Sequence, residues 1–440
     1  MVRLRLWETS GMPMLRQTVF LFAVDMAANV VDYAFHVYLG RALVPGDFAV
    51  FQTVNSALLI VITATGVMQP VVARFVAEGE MQQGGHRTGA VSRGSAALFR
   101  EYLGWSTLVG GILAGAVWLG RGFLSKGLNI PPFAVQFAIG VVFLVLLRPV
   151  VVGVLQGAQR FVSFGAVRLA YALGRFAVAG LLLYWGWGLR GAVASLPVGQ
   201  LLAVGCGLGL LGIRVWKRSP PPLDKRNGRL MEGLRLAGWA FLAYSAHTAL
   251  LNNDMLFVNR IFAPDEAGIY AAVVLLRRIL LLLPGAAVVV LYPRVAATVT
   301  QKKLPDREII GGVRVVSGLV GVLVAIYFAA GEPIARLVFG EPYAAAGSLL
   351  GWAGLGIWGY GLGTIWLNVF LATRPGPFVG LLVGMVVLQG AGMAEFSGAL
   401  PGVVGVFSVI GWGLALGGGI LYAVWLRPRL VQQFERKEDE

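Results

Sequence analysis

The chain has 440 residues, of which 57% are hydrophobic and only 13% charged, and its formal net charge is +15. A soluble globular domain carries about 25% charged residues, so this composition excludes one and leaves a polytopic membrane protein. The basic excess does not by itself mark a nucleic-acid binder, because where charge sits matters more than its sum. The single cysteine, Cys206, lies in an apolar run and excludes an intrachain disulfide.

Apolar runs of about 20 residues recur along the chain, each the length that crosses about 30 Å of hydrocarbon. Arg3, Arg5 and Arg16 precede the first, with no small-residue cleavage site after it, the pattern of a retained signal anchor. Spans one and two are predicted over residues 14–40 and 48–70, joined by a turn at 41–47. A basic loop rich in Gly and Gln at 74–102 leads to span three (103–119), and a loop ending in Pro131-Pro132 leads to span four (133–155). Spans five (164–186) and six (191–213) follow, then a Pro-rich, charged linker at 214–235. Spans seven and eight form a hairpin over 236–294 around Ala263-Pro264-Asp265-Glu266. After a charged loop at 301–307 come span nine (309–330) and a surface segment at 331–343. Spans ten (344–372), eleven (378–393, short) and twelve (403–426) end in a charged tail. The expected organisation is a six-helix lobe over 1–213, a basic cytoplasmic linker at 214–235, a second six-helix lobe over 236–426 and a cytoplasmic tail at 427–440.

Charge placement orients these spans. With the N-terminus, the loops after even-numbered spans and the tail inside, about 26 of the 36 Lys and Arg fall inside, about 6 outside and about 4 within spans. Both termini are therefore expected in the cytoplasm, with the basic loops meeting anionic lipid head groups rather than nucleic acid.

The two halves repeat. Arg41-Ala-Leu-Val-Pro45-Gly-Asp47-Phe-Ala-Val-Phe51 lies without a gap on Arg260-Ile-Phe-Ala-Pro264-Asp-Glu266-Ala-Gly-Ile-Tyr270. The copies are an even number of spans apart, so the halves share one membrane orientation, a parallel repeat with the expected substrate site between them.

Polar groups inside the spans point to chemistry. Span one carries Asp25, Asn29, Asp32 and His36 on one helical face; span seven carries His247, Asn252, Asn253 and Asp254; span eight carries Arg277 and Arg278. Arg148 and Arg175 lie in spans four and five. Left in lipid, the charged members of this set would cost on the order of 20 kcal/mol, more than the roughly 5–15 kcal/mol of net stability a protein has. Most must face inward, either in structural ion pairs such as Asp254 with an arginine of span eight, or along a water-filled path. Arg277 and Arg278 stand roughly 100° apart on a helix and cannot point the same way. Guanidinium groups suit a phosphate, and the amides Asn29, Asn252 and Asn253 join them as expected substrate-binding groups. Asp25, Asp32, His36, His247 and Asp254 suit a coupling Na+ or H+.

Gly207-x-Gly209-x-x-Gly212 and Gly354-x-Gly356-x-x-Gly359 match a dinucleotide fingerprint, but no strand precedes either, and helix packing through small residues is the expected role. With no GxxxxGK[ST] loop, HExxH or Cys/His cluster, no cofactor, metal or catalytic residue is expected.

Six segments together resemble a known family: YLGRALVPGDFAVFQ (38–52), VARFVAEGE (72–80), LQGAQRF (155–161), NNDMLFVNRIFAPDEAGIYAA (252–272), RRILLLLPGAAVVVLYPRVA (277–296) and IARLVFGEPYAAA (334–346). The chain resembles the polysaccharide transporter family of the multidrug/oligosaccharidyl-lipid/polysaccharide exporter superfamily. That resemblance implies an all-α membrane protein of about twelve helices in two pseudo-symmetric six-helix lobes around a central cavity. It implies a flippase for a lipid-linked (polyprenyl-phosphate-linked) oligosaccharide in the inner membrane, working by alternating access. Carried over by position, it puts Arg16, Arg277 and Arg278 forward as head-group binders. The expected partners are the lipid-linked saccharide, membrane lipid and Na+ or H+, with the monomer as the working unit. A cation-coupled multidrug or small-solute antiporter of the same superfamily is the alternative within the class. A membrane-embedded polymerase or glycosyltransferase is the alternative outside it, disfavoured by the short external loops.

Overall fold

The computed structural model describes residues 14–82, 93–212, 227–395 and 398–436, and all regular structure there is helical. The helices are α1 (Met14–Ala42), α2 (Pro45–Gly66), α3 (Met68–Gln82), α4 (Arg93–Leu119), α5 (Arg121–Gly127), α6 (Pro132–Gly157), α7 (Phe161–Tyr184) and α8 (Gly188–Leu211). They continue with α9 (Asn227–Ile261), α10 (Pro264–Thr300), α11 (Asp306–Phe339), a 3-10 segment (Glu341–Ala346), α12 (Gly347–Ala372), α13 (Gly376–Glu395), α14 (Leu400–Leu421), a π turn (Tyr422–Leu426) and α15 (Arg427–Arg436). Among the described residues ten helical stretches are long and apolar enough to cross a membrane. They fall on the expected spans one to six and nine to twelve. The expected spans seven and eight are α9 and α10, of 35 and 37 residues; at about 1.5 Å per residue each is longer than the hydrocarbon layer is thick.

The repeat has a local cause. Both α2 and α10 begin on a proline, Pro45 and Pro264, and carry an acid in the first turn, Asp47 in one and Asp265 and Glu266 in the other. Proline at the first helical position loses no hydrogen bond, and a carboxylate there meets the positive end of the helix dipole. The two starts pack on each other: a Cβ added at Gly46 would stand 2.8 Å from the Cβ of Pro264, and one at Gly268 would meet Pro45. Only glycine permits both approaches.

The chain packs as two compact units, Met1–Leu43 with Leu58–Ala237, and Val44–Ala57 with Gly238–Glu440. In the first unit α6 is the central helix, contacting α3, α4, α7 and α8. Lipid offers no hydrophobic drive between helices, so close packing of small residues must supply the contact. Gly153 and Gly157, one turn apart on α6, take up the side chains of Val72 and Val76 and the carbonyls of Gln69 and Ala73. Gly207 of α8 fits against Val151 in the same way.

In the second unit α12 is central, against α10, α11 and α14. Its glycines receive large side chains: a Cβ at Gly351 would meet Phe328, and Cβ atoms at Gly356 and Gly363 would each come 2.6 Å from Phe407 and Leu414. The glycine triplets are thus packing surfaces at Gly207, Gly356 and Gly359, although Gly209 has open space around it and Gly212 sits at φ 76° just past the end of α8. Phe48 of α2 packs in this unit against Phe339 and Tyr343.

Several boundaries differ from the sequence expectation. The polar stretch expected as a loop at 74–102 is helical to Gln82 and again from Arg93, and its middle lies outside the described residues. Most of the loop after span three is the helix α5. The surface segment expected at 331–343 continues α11 to Phe339 past a kink at Ala330 (φ −135°, ψ 23°), three residues before Pro333. Proline removes a donor and crowds the preceding turn, which bends a helix without necessarily ending it. Ala335, Phe339 and Tyr343 of that segment are buried. The segment expected to be short, span eleven, is a 20-residue helix, about 30 Å long. The expected linker at 214–235 lies in large part outside the described residues, with α9 beginning at Asn227. The tail forms α15, and Arg427 reaches back to Asp306 at the start of α11, where Tyr422 also donates to the same carboxylate at 2.5 Å.

Candidate functional site

In the first unit the polar face of α1 is held by α7. Asp25 pairs with Arg168 at 3.0 Å, and Asp32 pairs with Arg175. The second pair lies seven residues further along both helices, so α1 and α7 run parallel and the pairs form two rungs about 10 Å apart. The rungs differ in burial. Asp25 and Arg168 are 41% and 40% exposed, whereas Arg175 is only 3% exposed beneath a 39% exposed Asp32. The Arg175 guanidinium stacks 4.1 Å from the Phe35 ring centroid and donates to the Tyr171 hydroxyl at 3.2 Å. Rings on a cation replace part of its lost hydration. Arg148 stacks on Tyr171 and donates to Gln200 at 3.2 Å. His36 is buried, its Nε2 3.9 Å from Asp32, and Asn29 is partly exposed on the same helix.

In the second unit the two adjacent arginines of α10 have different fates. Arg277 (1% exposed) pairs with Asp254 of α9, which is wholly buried. Tyr270 donates to the same carboxylate at 2.5 Å, Arg277 also donates to the Leu251 carbonyl at 3.0 Å, and the Phe407 ring covers the guanidinium at 3.9 Å. Gly356 admits that ring, which ties a glycine of the false dinucleotide motif to a buried charge. Removing one partner of such a pair costs about 3–5 kcal/mol, because the other charge stays buried. For Arg277 to reach a head group, this pair must open.

Arg278 is only partly buried. It donates to Asn252 at 2.7 Å and to Ser56 of α2 at 3.2 Å, and Asn252 in turn donates to the Thr248 carbonyl at 2.8 Å. Asn252 and Ser56 help to orient this guanidinium. Asn253 is partly exposed on α9. His247 is buried, its Nε2 3.3 Å from the Thr364 hydroxyl of α12. Arg16 lies at the start of α1, outside the described side chains.

The structure thus brings Asp25 and Asp32 to one helix partner, and Asp254, Arg277, Asn252 and Arg278 to one helix hairpin. Sequence reasoning did not single out Arg168, which lies within the expected span five, and did not pair it with Asp25. It also passed over Tyr171, Tyr270 and Ser56. The seven-residue spacing shared by Asp25/Asp32 and Arg168/Arg175 was the signal available for the first.

Half-exposed arginines and carboxylates inside membrane-length helices, on two helical units, belong to a polytopic membrane protein. Solved structures share its fold. The chain is similar to a multidrug resistance MATE family transporter of the MOP superfamily in an inward-facing conformation, at 14% identity and TM-score 0.71, over 92% of this chain and 95% of that one. It is similar to the lipid II flippase MurJ in an inward closed conformation, at 11% identity and TM-score 0.68, over 92% of this chain and 87% of that one. A MOP superfamily transporter from Pyrococcus furiosus is similar at 12% identity and TM-score 0.57, over 94% of each chain. No curated protein matches the sequence. The model of the family described as polysaccharide biosynthesis protein matches residues 14–299, and the chain belongs to that family.

Proposed function

We propose that the chain flips a polyprenyl-phosphate-linked oligosaccharide across the cytoplasmic membrane by alternating access, for envelope polysaccharide synthesis. The observation that carries this reading is Arg278: a partly exposed guanidinium inside a membrane-length helix, oriented by Asn252 and Ser56, in a chain of the polysaccharide family. A phosphate on a lipid carrier is a ligand that such a group takes, through two parallel N–H···O bonds. The sugar follows the phosphate while the polyprenyl tail stays in hydrocarbon. Asn253 and Asn29 are partly exposed amides suited to sugar hydroxyls. Asp32 and His36, close together on α1 with Asp32 still 39% exposed, are the groups placed to take up Na+ or H+ in the return step. The working unit is the monomer, with both termini in the cytoplasm, and the chemistry is movement rather than bond making.

Proteoliposomes containing the purified chain and a labelled lipid-linked oligosaccharide test this. Protein-dependent loss of label from the outer leaflet is expected. No movement of label, together with exchange of cationic dyes for Na+ or H+, would place the chain with the antiporters instead. Elongation of the glycan in the same vesicles would make it an enzyme.

A further inference from the structure

We infer that Arg168 is an exchangeable phosphate site, at which Asp25 stands in for the substrate until the substrate displaces it. The inference rests on the proposed flippase function and assigns a residue and a binding mode to it.

Placement is the first argument. Asp25 and Arg168 each lie within a helical stretch long and apolar enough to cross a membrane. Each partner is two-fifths exposed, and ions inside such a stretch need water beside them rather than acyl chains.

The second argument is how loosely the pair is made. Asp25 Oδ1 lies 3.0 Å from Arg168 Nε but without hydrogen-bond geometry, and that buried oxygen has no hydrogen-bond partner. Among the described residues Asp25 is the ion-pair partner of Arg168. The next rung is different: Asp32 accepts a hydrogen bond from an Arg175 enclosed by Phe35 and Tyr171. A half-exposed, poorly aligned pair exchanges partners at little cost.

The third argument is charge. Arg148 is held by neutral groups, Gln200 and the ring of Tyr171, which stands three residues along α7 from Arg168. Its positive charge adds to that of Arg168, and a phosphate monoester or pyrophosphate, carrying more than one negative charge, offsets the two better than the single carboxylate of Asp25 does. The planar fork of Arg168 fits two phosphate oxygens at once. Lysine would not reproduce that fork.

Binding of a fluorescent polyprenyl phosphate to the full-length protein in nanodiscs tests the exchange, with inorganic pyrophosphate and phosphatidylglycerol as competitors. Asp25→Asn removes the resident competitor and is expected to tighten binding by about five-fold, the worth of a half-exposed pair. Arg168→Gln is expected to abolish the pyrophosphate-sensitive part of the binding, and Arg168→Lys to restore only part of it. Competition by inorganic pyrophosphate but not by phosphatidylglycerol supports a phosphate site; equal competition by phosphatidylglycerol marks a general lipid surface and overturns it. A purely structural pair predicts that Asp25→Asn and Arg168→Gln weaken binding together, which also overturns it. Wild-type binding that neither variant changes sinks the exchange site and leaves the flippase reading standing. No polyprenyl phosphate binding by the wild type sinks both.

Discussion

Asp32 and Arg175 stand one heptad along from Asp25 and Arg168 on the same two helices, yet Arg175 is enclosed where Arg168 is open. One spacing thus yields two kinds of ion pair, one with its arginine enclosed between α1 and α7 and one with both partners about two-fifths exposed.

Asp32→Asn leaves the Arg175 cation at 3% exposure with only ring faces and a tyrosine hydroxyl around it. A loss of about 3 kcal/mol is expected, as for a broken buried pair. Asp25→Asn should cost at most about 1 kcal/mol, the worth of a solvent-exposed pair. Melting of the two variants in one detergent gives the comparison; equal shifts would show that burial does not separate the rungs.

Arg277 and Arg278 are separated in the same manner. Arg277→Ala strands a wholly buried Asp254 and should lower stability by about 3–5 kcal/mol, whereas the paired substitution Asp254→Leu with Arg277→Met should recover most of it. Arg278→Ala should leave melting within about 1 kcal/mol, since the site is partly exposed, and should lower sugar-lipid flux at least about ten-fold, the worth of one charge-assisted contact. Flux and melting measured on the same preparations check both halves.

Gly157 offers a packing test. A methyl group there meets the Ala73 carbonyl and Val76 at the α3–α6 crossing, and Gly157→Ala is expected to cost about 1–3 kcal/mol through overpacking. Gly209→Ala meets open space and should be neutral or stabilising by up to about 1 kcal/mol, because alanine favours the helix. Similar losses at both positions would mean that backbone flexibility, not the crossing, is what glycine supplies.

Much of this was legible in the residues and some was not. Hydropathy marks where the chain crosses lipid, so ten spans and the α9–α10 hairpin follow from it directly. It does not mark where a helix stops, because lipid thickness limits only the apolar part; α3 and α11 therefore run on through polar or Pro-containing sequence. The face of α1 bearing Asp25 and Asp32 follows from the helical period, as does the divergence of Arg277 and Arg278. Which arginine is covered does not, because that depends on Phe407, which comes from α14 and reaches Arg277 only because position 356 is glycine. Arg168 was hidden by its place near a span end, where a basic residue ordinarily reports orientation alone.

The most direct measurement of the central idea compares one labelled oligosaccharide on two carriers in the same proteoliposomes, a polyprenyl phosphate and a neutral lipid of equal length. Recognition through arginines oriented inside the membrane predicts transfer of the phosphate-linked form and none of the neutral one, with Arg278→Ala abolishing the difference. Equal rates for both carriers would contradict it.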